Sequence, residues 1–200
     1  MNKFFDSENV IWRFFGSFAD LMGLTLCWVL CSLPLLTISG ATTALYDSVA
    51  RCVRGEEGGA YRRFFRTFRN ELIRGVGMTL LWLVIATVLG FSYFVLCVKM
   101  PGSVVALTYL LSLLIPLAIY LWALLINSRF VYGFFELHKA AIYHTFACLP
   151  QTLLMLVLFI VSAEACIMLP ITIAFAPATM MYILSSFVDK IFKKELSEDA

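Results

Sequence analysis

Long apolar runs alternate along the chain with short polar segments, and this pattern predicts membrane-spanning helices. At a rise of about 1.5 Å per residue, a run of about 18 to 24 residues covers a hydrocarbon core about 30 Å thick. The pattern therefore predicts an all-α, polytopic transmembrane helix bundle of about five spans, with four as the alternative count. The five runs are residues 14–36, 75–98, 103–126, 151–169 and 171–188.

Prolines predict where these runs are interrupted. Pro34 should end the first span, because proline lacks the N–H that a helix interior requires, and Thr37 then supplies a hydroxyl that can cap the next helix. Residues 152–188 contain a single charge, Glu164, and as one helix would reach about 55 Å, too far for one crossing. Pro170 therefore predicts the reversal between the fourth and fifth spans.

The polar segment 41–74 separates the first two spans and is predicted to form two amphipathic helices at the membrane interface. The first covers 41–54, where Asp47 stands four residues before Arg51 as a surface ion pair. The second covers 60–72. The rest of the chain shows no soluble domain, so residues 1–200 are expected to form one integral membrane domain.

The 60–72 helix has an aromatic face and a cationic face. Such a helix is expected to lie in the plane of the interface with its guanidinium groups on anionic head groups, or to pack its rings on the bundle. The aromatic face has five residues at helical spacing: Tyr61, Phe64, Phe65, Phe68 and Leu72. The other face is the candidate docking or lipid-phosphate surface: Arg62, Arg63, Arg66 and Arg69.

Composition and charge agree with a membrane protein and indicate its orientation. The chain is 62% hydrophobic and 14% charged, and its net charge of +2 is too small to indicate a nucleic-acid partner. Lysine and arginine concentrate in 51–74, 129–139 and 190–194, which predicts that these segments are cytoplasmic. With five spans, the N-terminus is then outside and the C-terminus inside. The N-terminal sequence lacks the features of a cleaved secretory signal.

Two acids interrupt the apolar runs, Asp20 and Glu164. A carboxylate within a membrane costs about 2.5 kcal/mol or more, so these two residues form the candidate intramembrane polar site. In the five-span scheme both lie in the outer half of the bilayer. There they could line an outward-facing polar vestibule, reach the interface, or bond to neighbouring helices.

The sequence predicts no catalytic, cofactor or metal site. His138 and His144 are six residues apart, which puts their imidazoles on different faces of a helix, unlike a metal-binding pair four apart. The six cysteines are expected to be small packing residues. Ser39, Thr42 and Thr43 have no base nearby that would make one of them a nucleophile. An enzyme is therefore not expected.

The segment CSLPLLTISGATTALYDSVARCVRGEEG at 31–58, followed by FFRTFRNE at 64–71, resembles the YesL family of small bacterial membrane proteins. The resemblance covers about the first 75 residues in order and, more loosely, the remainder. It implies a multi-pass protein of the bacterial cytoplasmic membrane, in a family often encoded beside carbohydrate uptake and two-component regulatory genes. The family has no defined biochemical function, so the resemblance implies no catalytic residues.

Two functions from different classes follow from these observations. The first is a non-enzymatic accessory or regulatory protein, linked to carbohydrate uptake, that docks on an ABC permease subunit or a sensor kinase through 41–74. The alternative is a small membrane transporter or channel that uses Asp20 and Glu164. Besides the lipid bilayer, the sequence identifies no partner directly, and it indicates no oligomeric state.

Overall fold

The computed structural model describes residues 10–53, 59–99, 104–130 and 132–198. Its regular elements are all helical within these ranges, which confirms the predicted all-α class. Residues 54–58, between the two predicted amphipathic helices, and residues 100–103, between the second and third predicted spans, lie outside the described residues. The α-helices in chain order are α1 Val10–Ser32, α2 Ile38–Ser48, α3 Ala60–Lys99, α4 Val104–Ser112, α5 Leu114–Arg129, α6 Phe134–Ala147, α7 Leu149–Met168 and α8 Ala176–Glu198.

Three stretches of the described chain are helical, long and apolar enough to cross a membrane: Ala60–Lys99, Thr108–Arg129 and Leu149–Met168. They contain most of the second, third and fourth predicted spans. The first predicted span corresponds to α1, whose apolar part Gly16–Ser32 is shorter, and the fifth corresponds to α8. The chain therefore has the helices of a membrane protein.

The predicted proline breaks are confirmed. α1 ends at Ser32, just before Pro34, and Pro170–Ala174 form a short 3-10 turn between α7 and α8. Thr37 acts differently from the prediction, because its hydroxyl makes no cap for α2. It lies within hydrogen-bond distance of the carbonyl oxygens of Cys31 and Pro34 instead. The Cys31 carbonyl is an acceptor that the end of α1 leaves without an intrahelical donor, whereas the Pro34 carbonyl also accepts the Thr37 backbone N–H.

α2 is the central helix of the bundle and not an interfacial one. Residues 39–50 are all buried, and α1, α3, α5 and α8 pack around them. The predicted interfacial helix at 41–54 is therefore corrected to a core helix, which continues as a π-helical turn at Val49–Val53. The physical reason is the small side chains at its start, which let neighbouring helices approach closely.

α3 is a single helix of 40 residues, so the predicted helix at 60–72 and the predicted span at 75–98 are continuous. A separate helix lying in the membrane plane does not form. Gly75 lies where the predicted helix and the predicted span meet. It does not interrupt α3, and it lets α2 pack closely against it. A Cβ atom placed there would stand 2.6 Å from the backbone nitrogen of Gly40 and 2.7 Å from its Cα. The backbones of α2 and α3 touch at this crossing.

Candidate functional site

The carboxylate of Asp47 is the centre of a buried ion cluster where α2 ends and α3 begins. Asp47 is 3% exposed. Arg51 Nε lies 3.0 Å from one carboxylate oxygen, and Arg63 Nε lies 2.8 Å from the other. The Thr67 hydroxyl donates to that second oxygen at 2.9 Å. The predicted pair of Asp47 with Arg51 is confirmed, but its carboxylate is buried, while the Arg51 side chain stays partly exposed.

A second ion pair joins α5 to α8 beside the same part of α2. Arg129 Nη2 donates to Asp189 Oδ1 at 2.8 Å, and the Tyr46 hydroxyl donates to the same oxygen at 3.4 Å. The Arg129 guanidinium also lies 5.7 Å from the centroid of the Tyr46 ring. Burial, followed by the negative charge of Asp189, raises the pKa of Tyr46 well above its usual range. Tyr46 therefore stays neutral and keeps its proton for this hydrogen bond.

A third polar contact joins α3 to α5. The Asn127 side-chain amide donates to Glu71 Oε2 at 2.9 Å, and Arg74 Nη1 donates to Asn127 Oδ1 at 3.2 Å. Arg74 also lies 3.9 Å from Glu71 Oε2. We call the three groups together the charged end of the bundle: Tyr46, Asp47, Arg51, Arg63, Thr67, Glu71, Arg74, Asn127, Arg129 and Asp189.

Three arginines on the outside of α3 form a stripe next to this charged end. Arg62, Arg66 and Arg69 are exposed, and at 100° per residue they fall within about 60° of one another around the helix. None of them has an ion-pair partner among the residues that the structure describes. Arg63, predicted to share this face, turns inward to Asp47. The arginine stripe is therefore Arg62, Arg66 and Arg69.

An exposed apolar flank runs beside the arginine stripe. Tyr61, Phe65 and Leu72 are 41%, 52% and 37% exposed, although they belong to the predicted aromatic face. Phe64 of that face is fully buried. The side of α3 that packs against the bundle contains Ala60, Phe64 and Gly75. This buried side therefore coincides only partly with the predicted aromatic face. The outer surface of α3 therefore carries exposed cations next to exposed apolar side chains.

Two cavities lie within the apolar part of the bundle. One, of about 670 Å³, is bounded by α1, α2, α5, α7 and α8, and the other, of about 450 Å³, lies mainly between α3 and α5. Both are within the size range of small-molecule sites. Their shared wall contains Leu35, Ile38 and Tyr120. The Tyr120 hydroxyl is itself hydrogen-bonded to Ser39 at 2.9 Å, so the walls offer an apolar surface.

The structure places Asp20 and Glu164 outside the linings of both cavities. Asp20 is partly buried, and its carboxylate accepts a hydrogen bond from the Tyr61 hydroxyl at the start of α3. The Tyr61 ring covers Gly23, where an added Cβ atom would overlap it. Glu164 is exposed on α7. Asp20 therefore lies beside the basic 51–74 segment, on the side expected to be cytoplasmic, and not in the outer half of the bilayer as predicted. Glu164 faces outward.

The two histidines of α6 contact different parts of the bundle. Nδ1 of His138 lies 2.8 Å from the Phe134 carbonyl oxygen, and its ring stacks on Trp82 at 6.1 Å. His144 makes the equivalent contact with its own helix, and its ring centroid lies 5.2 Å from that of Trp122. These positions agree with the different helix faces expected from their spacing.

One comparison with known proteins gives a match. The family described as "Protein of unknown function, DUF624" matches residues 21–93, a segment that contains α2, the Asp47 cluster and the arginine stripe. Neither a curated protein nor a solved structure matches the chain. The matching family carries no assigned activity, so the resemblance to YesL and its link to carbohydrate uptake stay predictions. The apolar helices and this match together fit a membrane protein.

Proposed function

We propose that this chain is a non-enzymatic accessory or regulatory membrane protein that docks on a larger membrane complex through the arginine stripe. One observation carries the proposal. The inward-facing arginines of the charged end each lie beside a carboxylate, whereas the three of the stripe have none among the described residues. Guanidinium groups bind carboxylates in bidentate fashion. A partner that brings negative charge would complete this surface.

The resemblance to the YesL family supports a partner from carbohydrate uptake in the bacterial cytoplasmic membrane. We propose an ABC permease subunit or a sensor kinase. Both kinds of protein have cytoplasmic surfaces close to the membrane, which is the side where the basic segments of this chain are expected.

The alternative function, a small transporter or channel, has less support. A polar path through the membrane needs polar groups that face a cavity. The acids expected to form it, Asp20 and Glu164, line neither of the two described cavities, whose walls are apolar. We therefore place the accessory function first.

Affinity purification of the full chain from its native membrane tests the proposed function. We expect an ABC permease subunit or a sensor kinase in stoichiometric amounts with the unaltered chain. The triple variant Arg62→Glu, Arg66→Glu, Arg69→Glu should lose it, while the control Lys99→Glu, Lys139→Glu, which alters two exposed cations elsewhere, should keep it. Substrate flux in liposomes that contain only this chain, without a recovered partner, would favour the transporter.

A further inference from the structure

Two apolar cavities of the bundle lie side by side, and their walls indicate what they hold. We call the cavity of about 670 Å³ between α1, α2, α5, α7 and α8 the larger cavity, and that of about 450 Å³ between α3 and α5 the smaller cavity. We infer that together they bind one diacyl membrane lipid, with one hydrocarbon chain in each cavity. This inference goes beyond the proposed docking function, since no residue of the arginine stripe lines either cavity.

Both cavities border the helices that are apolar and long enough to cross a membrane. The smaller cavity is lined by residues between 79 and 90 of α3 and between 113 and 120 along α5. The larger cavity is lined by residues 120–124 of α5 and by residues between 159 and 166 of α7. All these positions fall within the three candidate spans. Lipid chains therefore surround this part of the bundle when these helices cross a bilayer, whichever residues mark the bilayer boundaries.

The walls of both cavities suit hydrocarbon and not a charged or strongly polar ligand. No charged side chain lines either cavity among the residues that the structure describes. The hydroxyls of Thr42, Thr79 and Tyr120 are each hydrogen-bonded to another group of the protein. A site for a polar small molecule needs polar groups that converge on the ligand. These walls offer it mainly apolar side chains.

The two cavities share a wall, which favours one lipid with two chains. Leu35, Ile38 and Tyr120 line both cavities. Leu35 is 65% exposed, so both cavities are accessible at this wall. Two chains joined by one glycerol can pass on either side of it, with the ester groups and the head group at the surface. Two separate molecules would each lose their freedom of motion, whereas the second chain of a diacyl lipid binds at a high effective concentration.

Van der Waals contact provides the free energy of binding. Lipid chains in a membrane are already out of water, so they gain little from hydrophobic transfer into a cavity. The atoms around an unfilled cavity lack contacts on one side, and a chain supplies these contacts. Binding should therefore depend on the space inside the cavities and not on the charge of the head group.

Lipid retention by the full chain tests this inference. Dioleoylphosphatidylcholine is titrated onto the detergent-solubilised chain, and native mass spectrometry counts the bound lipids, of which we expect one per chain. Ala163→Phe fills part of the larger cavity and Ala86→Phe part of the smaller one. Each alone should weaken binding about tenfold, because this requires the loss of only about ten close atom contacts. The controls Val161→Phe and Val84→Phe change exposed residues of the same helices that line neither cavity, and should leave binding unchanged.

Other lipids supply the opposing results. Two molecules of oleoyl-lysophosphatidylcholine per chain, of which each filling variant removes one, with no preference for the diacyl lipid, would show two separate single-chain sites and overturn the inference. Dioleoylphosphatidylglycerol should bind as well as the phosphatidylcholine. A strong preference for phosphatidylglycerol that Ala163→Phe leaves unaltered would assign the lipid to a basic surface instead. Equal effects of the filling variants and their controls, or no bound lipid, also overturn the inference.

Photo-crosslinking of the unaltered chain keeps the test independent of how the variants fold. The probe is a phosphatidylcholine with a diazirine in the middle of one acyl chain, incorporated into bilayer nanodiscs. We expect labelling of Leu124, which lines the larger cavity and is 3% exposed, and of Thr79, which lines the smaller cavity and is 7% exposed. Lipids outside the bundle cannot reach these two side chains. Labelling confined to outward-facing residues such as Val84 and Val161 would overturn the inference.

Discussion

The buried carboxylate of Asp47 connects α2 to the π-helical turn that follows it and to the start of α3, at the charged end of the bundle. It comes from α2, while its partners come from the π-helical turn and from α3. Burying a charge is costly unless it is paired and hydrogen-bonded. Arg51, Arg63 and Thr67 provide these contacts, so the cluster fixes how α2 meets the start of α3.

Replacing Asp47 by asparagine should destabilise the protein substantially. The change removes the negative charge that both guanidinium groups contact, and loss of one partner of a buried ion pair costs about 3 to 5 kcal/mol. Arg51 and Arg63 are partly exposed, at 36% and 21%, so we expect about 3 kcal/mol. Unfolding by sodium dodecyl sulfate in mixed micelles measures this loss.

Glu164→Gln is the matched control for that substitution. It removes a carboxylate that is exposed, so its effect should stay within about 0.5 kcal/mol. Equal effects of Asp47→Asn and Glu164→Gln would show that the Asp47 cluster does not stabilise the fold.

Only part of the Asp47 cluster could be predicted from the sequence. Arg51 follows Asp47 by four residues on the same helix, and that spacing alone predicts their pairing. Arg63 lies 16 residues away in another helix, next to Arg62 at the edge of the polar face. Helical periodicity predicts which residues share the polar face of a helix. It does not predict which residue at the border of that face points into the protein. The pairing of Arg129 with Asp189 spans 60 residues and gives no local signal.

At the scale of elements, the contact of α2 with α3 depends on a pair of glycines. Gly75→Ala should destabilise the bundle by about 1 to 3 kcal/mol, since its new methyl would overlap backbone atoms of Gly40, which cannot turn aside as a side chain can. Gly77→Ala is the control on the same helix, because nothing lies within 4 Å of its Cβ position. It should be neutral or stabilising by up to about 1 kcal/mol. Thermal melts in one detergent compare the two, and destabilisation of similar size in both would contradict the close crossing.

Apolar runs predicted where the long helices lie, because length and hydropathy are local properties. The sequence did not show that α2 is buried, since its alternation of small apolar and polar residues has the same period on a membrane surface as in a core. The run Ser39, Gly40, Ala41, Thr42 and Thr43 was the available signal. Side chains this small favour close helix contacts. The continuity of α3 was missed because the pattern changes from amphipathic at 60–72 to wholly apolar at 75–98, and such a change also fits two separate helices.

At the scale of the whole molecule, the end of α8 lies on the same side as the charged end. Asp189, in the second half of α8, pairs with Arg129 and Tyr46. A reporter that fluoresces only in the cytoplasm, fused after Ala200, should therefore be active, because the basic segments of the chain are expected inside. A cysteine at Arg62 in a chain without its native cysteines should react with a membrane-impermeant maleimide only in opened cells. An extracytoplasmic reporter, or labelling in intact cells, would contradict this orientation.

The central claim is that the arginine stripe and the apolar residues 75–98 belong to one continuous helix, α3. Spin labels at cysteines replacing Arg62 and Phe94, both exposed, measure this directly in bilayer nanodiscs by double electron–electron resonance. A continuous helix predicts a separation of about 48 Å over the 32 residues between them. If the first part of the helix instead turned into the plane of the membrane, the separation would be about 35 Å. A distance near the shorter value would contradict both the fold of α3 and the docking surface proposed on it.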